Sequence, residues 1–391
     1  MKIAVLGHRR FPIKEPFAGG LERFTHTLVT GLIKRGCQVT LFAHSDSDRS
    51  LPLALEPIFD TSFCLNYEEE SHEAYLNIMD YLSRENFDLV HDNSLNYFPI
   101  ILEDCLVAPL VTTLHTPPFP RLLSAVRYRE KQQRGHYISV SRFNSKLWGL
   151  KSRFEIIHNG VDTNVFTYSD LGLKNHVVWT GRIIPDKGTH LAIAAAQKVG
   201  VELTIAGPIS DRNYFERQIV PHFGRGVTYA GHLAQTQLVK LLHSAAVTLC
   251  TPLWSEPFGL VVVESLACGT PVVAFDRGAI SEIIDERTGV VVPPDDIDAM
   301  AEGIQKAQNL SRYACRNSVL ERFNLDTMLD KYVRAYERII HRHHRQKICT
   351  LATTYTSTVT DTLKEPEPLP NTVKSLSPSS ALMSPDKTGT P

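Results

Sequence analysis

Two carboxylates and two cations carry the chemistry that this sequence shows most openly. Glu256 and Glu264 bracket the stretch "SEPFGLVVVE", where every residue between them is apolar apart from one glycine. Carboxylates are rarely buried without a partner, so each of these needs something to bind. Pro257 and Gly259 disfavour a helix interior, which places Glu256 on the loop after the strand "AVTLC". A helix is then predicted to start near Gly259 and to stop at Gly269. Its N-terminus presents free N–H groups and a partial positive charge, which suits a phosphate. Glu264 lies about 7.5 Å further along the axis, within reach of a ribose attached to a diphosphate at the helix start. The plain alternative is a glutamate paired with an arginine elsewhere in the fold.

The cations stand in "GRIIPDKG" (181–188), at the end of the strand "HVVWT". Arg182 and Lys187 there occupy a turn bounded by glycines just before a helix, a usual ligand crevice of an α/β half. They could neutralise a diphosphate leaving group without a metal; otherwise they are exposed loop cations. Gly19 and Gly20 in "AGGLER" precede the first long helix and would let a ligand approach the backbone, or simply start that helix.

The elements that must position these residues follow one pattern. Short apolar, β-branched runs such as "KIAVLG", "QVTLFA", "DLVHDN" and "PLVTTLH" alternate with helical stretches, as in parallel sheets covered on both faces. The alternation lapses over 162–175 and restarts with "HVVWTG", "VELTIAG" and "VTYAG". The expected architecture is α/β, with two doubly wound Rossmann-like domains, 1–166 and 175–325, facing a central cleft. A helix over 326–347 carries Leu325, Leu329, Val333, Tyr336 and Ile340 at helical spacing. Residues 349–391 are rich in Ser, Thr and Pro and read as a disordered tail.

Composition closes off several classes. Of 391 residues, 43% are hydrophobic and 21% charged, as in globular proteins, and the net charge of −1 gives no global pull toward nucleic acid. The cysteines at 37, 64, 105, 250, 268, 315 and 349 never form C-x-x-C, which fits a reducing compartment without structural zinc. The first apolar run is too short for a signal-peptide core, and no run is long enough to span a membrane, so a cytoplasmic location is expected. "DSD" at 46–48 reads as a solvated loop rather than a metal site. Residues 121–153 hold nine Lys or Arg against Glu130 alone. They read as a surface helix or, alternatively, as a face for peripheral contact with anionic lipid at the inner side of the membrane. The absence of aromatic interleaving argues against nucleic acid.

Taken together, "AGGLER", "HNGVD", "GRIIPDKG", "AGP", the two spaced glutamates and "ACGTPVVAFDRGAISEII" resemble the family 4 retaining glycosyltransferases of the GT-B fold, over residues 2 to 345. The resemblance implies a hexose-type sugar moved from a nucleoside diphosphate sugar to an acceptor hydroxyl, in glycan, glycolipid or small-molecule glycoside synthesis. The donor is a co-substrate; no cofactor or metal is implied. UDP is favoured as the carrier because such donors are common in the family. Glu264 would hold the ribose, and Glu256 would bind the transferred sugar together with the backbone of Phe258, Gly259 and Leu260. Arg182 and Lys187 would grip the diphosphate, and His115 in "TLHTPP" would contact the sugar near the reacting carbon. Gly20 would approach the donor from the other domain, with Gly231, His232 and Leu233 beside the base. Glu22, His91 and Asp92 fall on the acceptor side. The last helix would cross back to the N-terminal domain.

Two other activities share such halves. A sugar-nucleotide 2-epimerase-like isomerase is the alternative within the same fold, and "GRIIPDKG" with the spaced glutamates favours transfer. A dinucleotide oxidoreductase needs G-x-G-x-x-G after the first strand, and "LGHRRF" does not supply it.

Overall fold

Apolar runs bounded by glycine and polar residues become buried strands here, and the amphipathic stretches between them become covering helices. The computed structural model describes residues 1–54, 67–151 and 153–362. The first half contains β1 (Lys2–Leu6), α1 (Gly20–Lys34), β2 (Gln38–Phe42), β3 (Leu89–Asp92), β4 (Leu110–Leu114), β5 (Tyr137–Ser139) and β6 (Phe154–Ile156). These strands pair in parallel in the order β2-β1-β3-β4-β5-β6.

The second half contains β7 (Leu173–Thr180), α2 (Thr189–Val199), β8 (Glu202–Ala206), β9 (Val227–Tyr229), β10 (Ala245–Cys250), α3 (Leu260–Ala267), β11 (Val272–Phe275) and β12 (Gly289–Val292). Its order, β12-β11-β10-β7-β8-β9, is again all parallel. The strand order reverses between β1 and β3 in one sheet and between β7 and β10 in the other. Ligand crevices in open α/β sheets form at the carboxyl ends of such switch points. Both sheets fall within one compact unit, Met1–His343, and the chain from His344 onward forms a second. β7 begins inside the stretch expected to be a linker, because Leu173 already pairs with Ala245 of β10.

The final helix α4 (Leu325–Thr362) is longer than the 326–347 reading. No Pro or Gly interrupts the sequence until Pro366, so no breaker ends the helix at the start of the Ser/Thr-rich stretch. Residues 363–391 of the expected tail lie outside the described residues. Within the compact unit, Met328, Leu329, Tyr332, Ala335, Tyr336 and Ile339 pack with Ile3, Val5, Phe24 and Leu28 of the first half. The apolar stripe is therefore the expected one turned by about a residue, with Leu325, Val333 and Ile340 at its edges. Among the described residues no helix is long and apolar enough to cross a membrane.

Candidate active site

The loops leaving β7 and β10 meet because glycine lets them. A Cβ on Gly188 would fall 2.1 Å from the carbonyl oxygen of Thr251, and its φ of +63° lies in the left-handed region. Thr251 Oγ1 donates to Gly188 O at 2.9 Å, and Leu253 N donates to Asp186 O at 2.7 Å. Gly278 does the same for the next loop: a Cβ there would sit 2.1 Å from Glu256 O, and Ala279 N donates to that oxygen at 2.8 Å. The backbones of Lys187 and Glu256 are thus fixed before their side chains meet.

Lys187 Nζ donates to Glu256 Oε2 at 2.6 Å, and Trp254 Nε1 donates to the same oxygen at 2.8 Å. The ammonium also lies 4.6 Å from the Trp254 ring centroid, a favourable cation–π distance. Arg182 lines the same cavity and has no ion-pair partner among the described residues. α3 begins at Leu260 directly after this loop; Val262 N already donates to Gly259 O at 3.0 Å, which leaves the N–H groups of Gly259, Leu260 and Val261 without an acceptor inside the helix.

Opposite stands the start of α1. A Cβ on Gly20 would touch Leu260 Cδ1 at 3.0 Å, so the glycine allows the two helix starts to approach. Between them lies a cavity of about 370 Å³. Its wall includes Gly20, Glu22, His115, Arg182, Lys187, His232, Leu233, Glu256, Phe258, Gly259, Leu260 and Glu264. Sequence positions more than 240 residues apart are thereby brought to one wall.

Glu264 is 3% exposed and is not unpaired: Arg23 Nη1 donates to its Oε1 from α1. The arginine partner that the sequence left open for this glutamate is thus Arg23. The guanidinium of Arg23 also lies 5.7 Å from the Phe17 ring centroid and 5.6 Å from that of Phe166. Sequence reasoning missed Arg23 although it stands in the quoted "AGGLER". Its partner is 241 residues away, and no local pattern reports such a pair.

His115 holds Asn93 Oδ1 at 2.7 Å through Nε2 and packs edge-on against Phe24 at 4.6 Å between centroids. Burial lowers its pKa to about 3, so the ring is neutral and can donate or accept one hydrogen bond on each side. Glu22 is 5% exposed, and burial raises its carboxyl pKa against the pull of its own backbone N–H and Arg182. His8, also on the wall, lies 3.9 Å from Glu22 and is pushed to about 4 by burial, then by Arg10 and Arg182. His232 Nε2 meets Phe17 O at 2.9 Å, tying its loop to the first half. Gly231 is not on the wall; its carbonyl accepts from Gly207 N at 2.9 Å instead.

His91 and Asp92 require a correction. Both are fully buried and neither reaches the cavity. His91 Nε2 pairs with Thr113 Oγ1 at 2.7 Å, and Tyr336 OH with His91 Nδ1 at 2.6 Å. Asp92 accepts from Ser94 N at 2.9 Å and Thr112 Oγ1 at 3.1 Å, while burial raises its pKa to about 6. They are the last residues of β3, inside the sheet, and burial continues through Asn93 and Ser94 before the chain becomes partly accessible at Leu95. Asn93, through His115, and Leu95 on the wall are what that strand end contributes.

Among the described residues no group of three His, Cys, Asp or Glu is placed to hold a metal ion. Cys37, Cys105, Cys250, Cys268 and Cys315 form no disulfide.

Two parallel α/β sheets, a cavity at their switch points and a cationic loop facing a helix start define a two-domain α/β class of protein. Comparison narrows the class. Residues 18–165 match the family described as Glycosyltransferase Family 4, and residues 170–318 match Glycosyl transferases group 1. The chain belongs to the family 4 glycosyltransferases. It is 31% identical over 185 residues to a glycogen synthase of Mycobacterium tuberculosis, covering 45% of this chain and 44% of that protein. It is 32% identical over 220 residues to a D-inositol 3-phosphate glycosyltransferase of Mycolicibacterium smegmatis, covering 50% of each. The chain thus spans about half the length of the curated relatives it matches. In fold it is similar to AviGT4, a glycosyltransferase involved in avilamycin A biosynthesis, with TM-score 0.67 and 23% identity over 87% of this chain and 98% of the other. It is also similar to HepE of Anabaena in complex with UDP-glucose, with TM-score 0.69 and 20% identity over 86% and 100%. The family matches and these relatives are transferases, so the epimerase alternative is not favoured.

Proposed function

We propose that this protein transfers a hexose-type sugar from a nucleoside diphosphate sugar, with UDP favoured, to an acceptor hydroxyl, retaining the anomeric configuration and using no metal. The observation that carries the reading is the convergence of Arg182, Lys187, Glu256 and the start of α3 on one cavity wall. Two cations and free helix N–H groups supply the charge that a departing diphosphate needs. The UDP-glucose bound by the structurally similar HepE supports the choice of donor.

In this reading Arg182 and Lys187 take the diphosphate, and Lys187 leaves Glu256 for it as negative charge develops. Glu256, held also by Trp254, then accepts from hydroxyls of the sugar. Arg23 occupies only Oε1 of Glu264, which leaves the second oxygen to accept from a ribose hydroxyl. Phe258, Gly259 and Leu260 line the sugar and phosphate side, and His232 and Leu233 the base side. The sugar–phosphate bond breaks with its electron pair going to the diphosphate. The acceptor oxygen attacks on the same face, and its proton passes to the departing phosphate oxygen. Neutral His115, held in place by Asn93, orients the sugar by a hydrogen bond, while Glu22 meets the acceptor. The unpaired, scattered cysteines support a cytoplasmic setting.

Thermal unfolding with UDP, GDP, ADP and NAD, each with excess chelator, tests the reading. A ligand at 100 times its dissociation constant should add about 2.7 kcal/mol. Stabilisation by one nucleoside diphosphate is the expected result, and stabilisation by NAD alone would sink the proposal. The anomeric coupling of the product, read by proton NMR against that of the donor, tests retention.

A further inference from the structure

A second cavity of about 220 Å³ lies where β5 and the edge strand β6 meet α4, and none of its lining residues belongs to the first cavity. Its charged lining is His136, Arg153, Arg338 and Arg342 against a single carboxylate, Glu155. Arg338 already takes that carboxylate through Nη2. Arg153 and Arg342 have no acceptor among the described residues, although both face the same space.

Three further observations accompany this crowding of positive charge. Arg153 is half-buried with φ +53°, a left-handed conformation that a non-glycine residue keeps only when its surroundings impose it. Burial first, and then the charge of Arg342, lowers its pKa, with Arg134 adding to the effect and Glu103 opposing it. His136 is pushed to about 4 by burial, then by Arg153, Arg342 and His343. Crowded, partly desolvated cations are unfavourable unless an anion joins them.

We propose that this cavity is a binding site for a phosphomonoester group, with Arg153 and Arg342 as its charged ligands and His136 as an N–H donor. Arginine forks match phosphate oxygens bidentately, and a doubly negative group would offset the repulsion among these cations. The group has two sources with the same chemistry: a soluble phosphorylated metabolite, or the headgroup of an anionic lipid. The site is independent of sugar transfer and stands or falls apart from it.

Because Arg182 and Lys187 would themselves bind phosphate, the test starts from an Arg182→Ala/Lys187→Ala protein. Inorganic phosphate is titrated at constant ionic strength, and the midpoint of thermal unfolding is followed with and without added Arg153→Gln and Arg342→Gln. A saturable rise of several degrees that the two further substitutions abolish is expected. Cosedimentation with vesicles of phosphatidylcholine, alone or mixed with phosphatidic acid, separates the sources. Arginine-dependent binding to the mixed vesicles assigns the lipid headgroup; arginine-dependent phosphate stabilisation without vesicle binding assigns the soluble ligand. Phosphate stabilisation and vesicle binding that are both absent, or both unchanged by the substitutions, overturn the proposal. Arg342 is exposed, so Arg342→Gln alone guards against misfolding. It should raise the midpoint in phosphate-free buffer by relieving repulsion, and a lowered midpoint there would also count against the site.

Discussion

At the switch point of the second sheet, Arg182, Lys187 and Glu256 stand on loops beyond β7 and β10, all charged and all on the cavity wall. At the strand ends of the first sheet the ionisable groups are His91, Asp92 and His115. Two of these three are sealed inside, and the histidines are uncharged. The loops beyond β7 and β10 present fixed charge, whereas the ends of β3 and β4 present neutral hydrogen-bonding groups; the first half's charged wall residues, Arg10, Glu22 and Arg23, come from the segment between β1 and the first turn of α1.

The comparison can be broken from its charged side first. Lys187→Ala should lower turnover by about 10²- to 10³-fold while changing donor affinity less, as for loss of one group that stabilises developing charge. Steady-state kinetics with both substrates varied would show it. A loss confined to KM would move Lys187 from the transition state to ground-state binding.

Next in size is Glu264. Glu264→Ala should weaken donor binding by about tenfold to a hundredfold, in line with about 1.5–3 kcal/mol for hydrogen bonds to a charged group. Titration calorimetry with the nucleoside diphosphate reads this directly, and unchanged affinity removes the ribose assignment. Arg23→Ala leaves a buried carboxylate without its partner and should cost about 3 kcal/mol of stability. In the double variant with Glu264→Ala, the combined loss should fall well short of the sum of the single ones. Additive losses would mean that the two groups do not interact.

The neutral side makes a smaller, pH-dependent prediction. His8 and His136 titrate near 4 and His91 and His115 near 3 when folded, against 6.5 in the unfolded chain. Below 6.5 the unfolded state therefore binds more protons, so stability is fully present above that pH and is lost as pH falls toward 4 and 3. Asp92, raised to about 6, works in the opposite sense between about 4 and 6. Denaturant unfolding at pH 5 and pH 7 should show lower stability at pH 5, with Asp92→Asn steepening the difference. The smallest expected effect is none: excess chelator should leave transferase activity unchanged, and strict dependence on added manganese would contradict the proposed chemistry.

The sequence by itself determined the parallel strands, because runs such as "IAVL" and "VVAF" are apolar throughout and stay buried from both faces. It also determined the local chemistry of the loops, since the glycines and cations of "GRIIPDKG" act within a few residues of one another. What it left open depends on distance along the chain. Whether a strand-end residue is inside or outside is decided by which helix covers it: Tyr336 of α4 seals His91, 245 positions away. The partner of Glu264 was equally out of reach until α1 came up against α3. Side-chain period and turn chemistry are local properties, but burial and charge pairing belong to surfaces that exist only after the chain has folded back on itself.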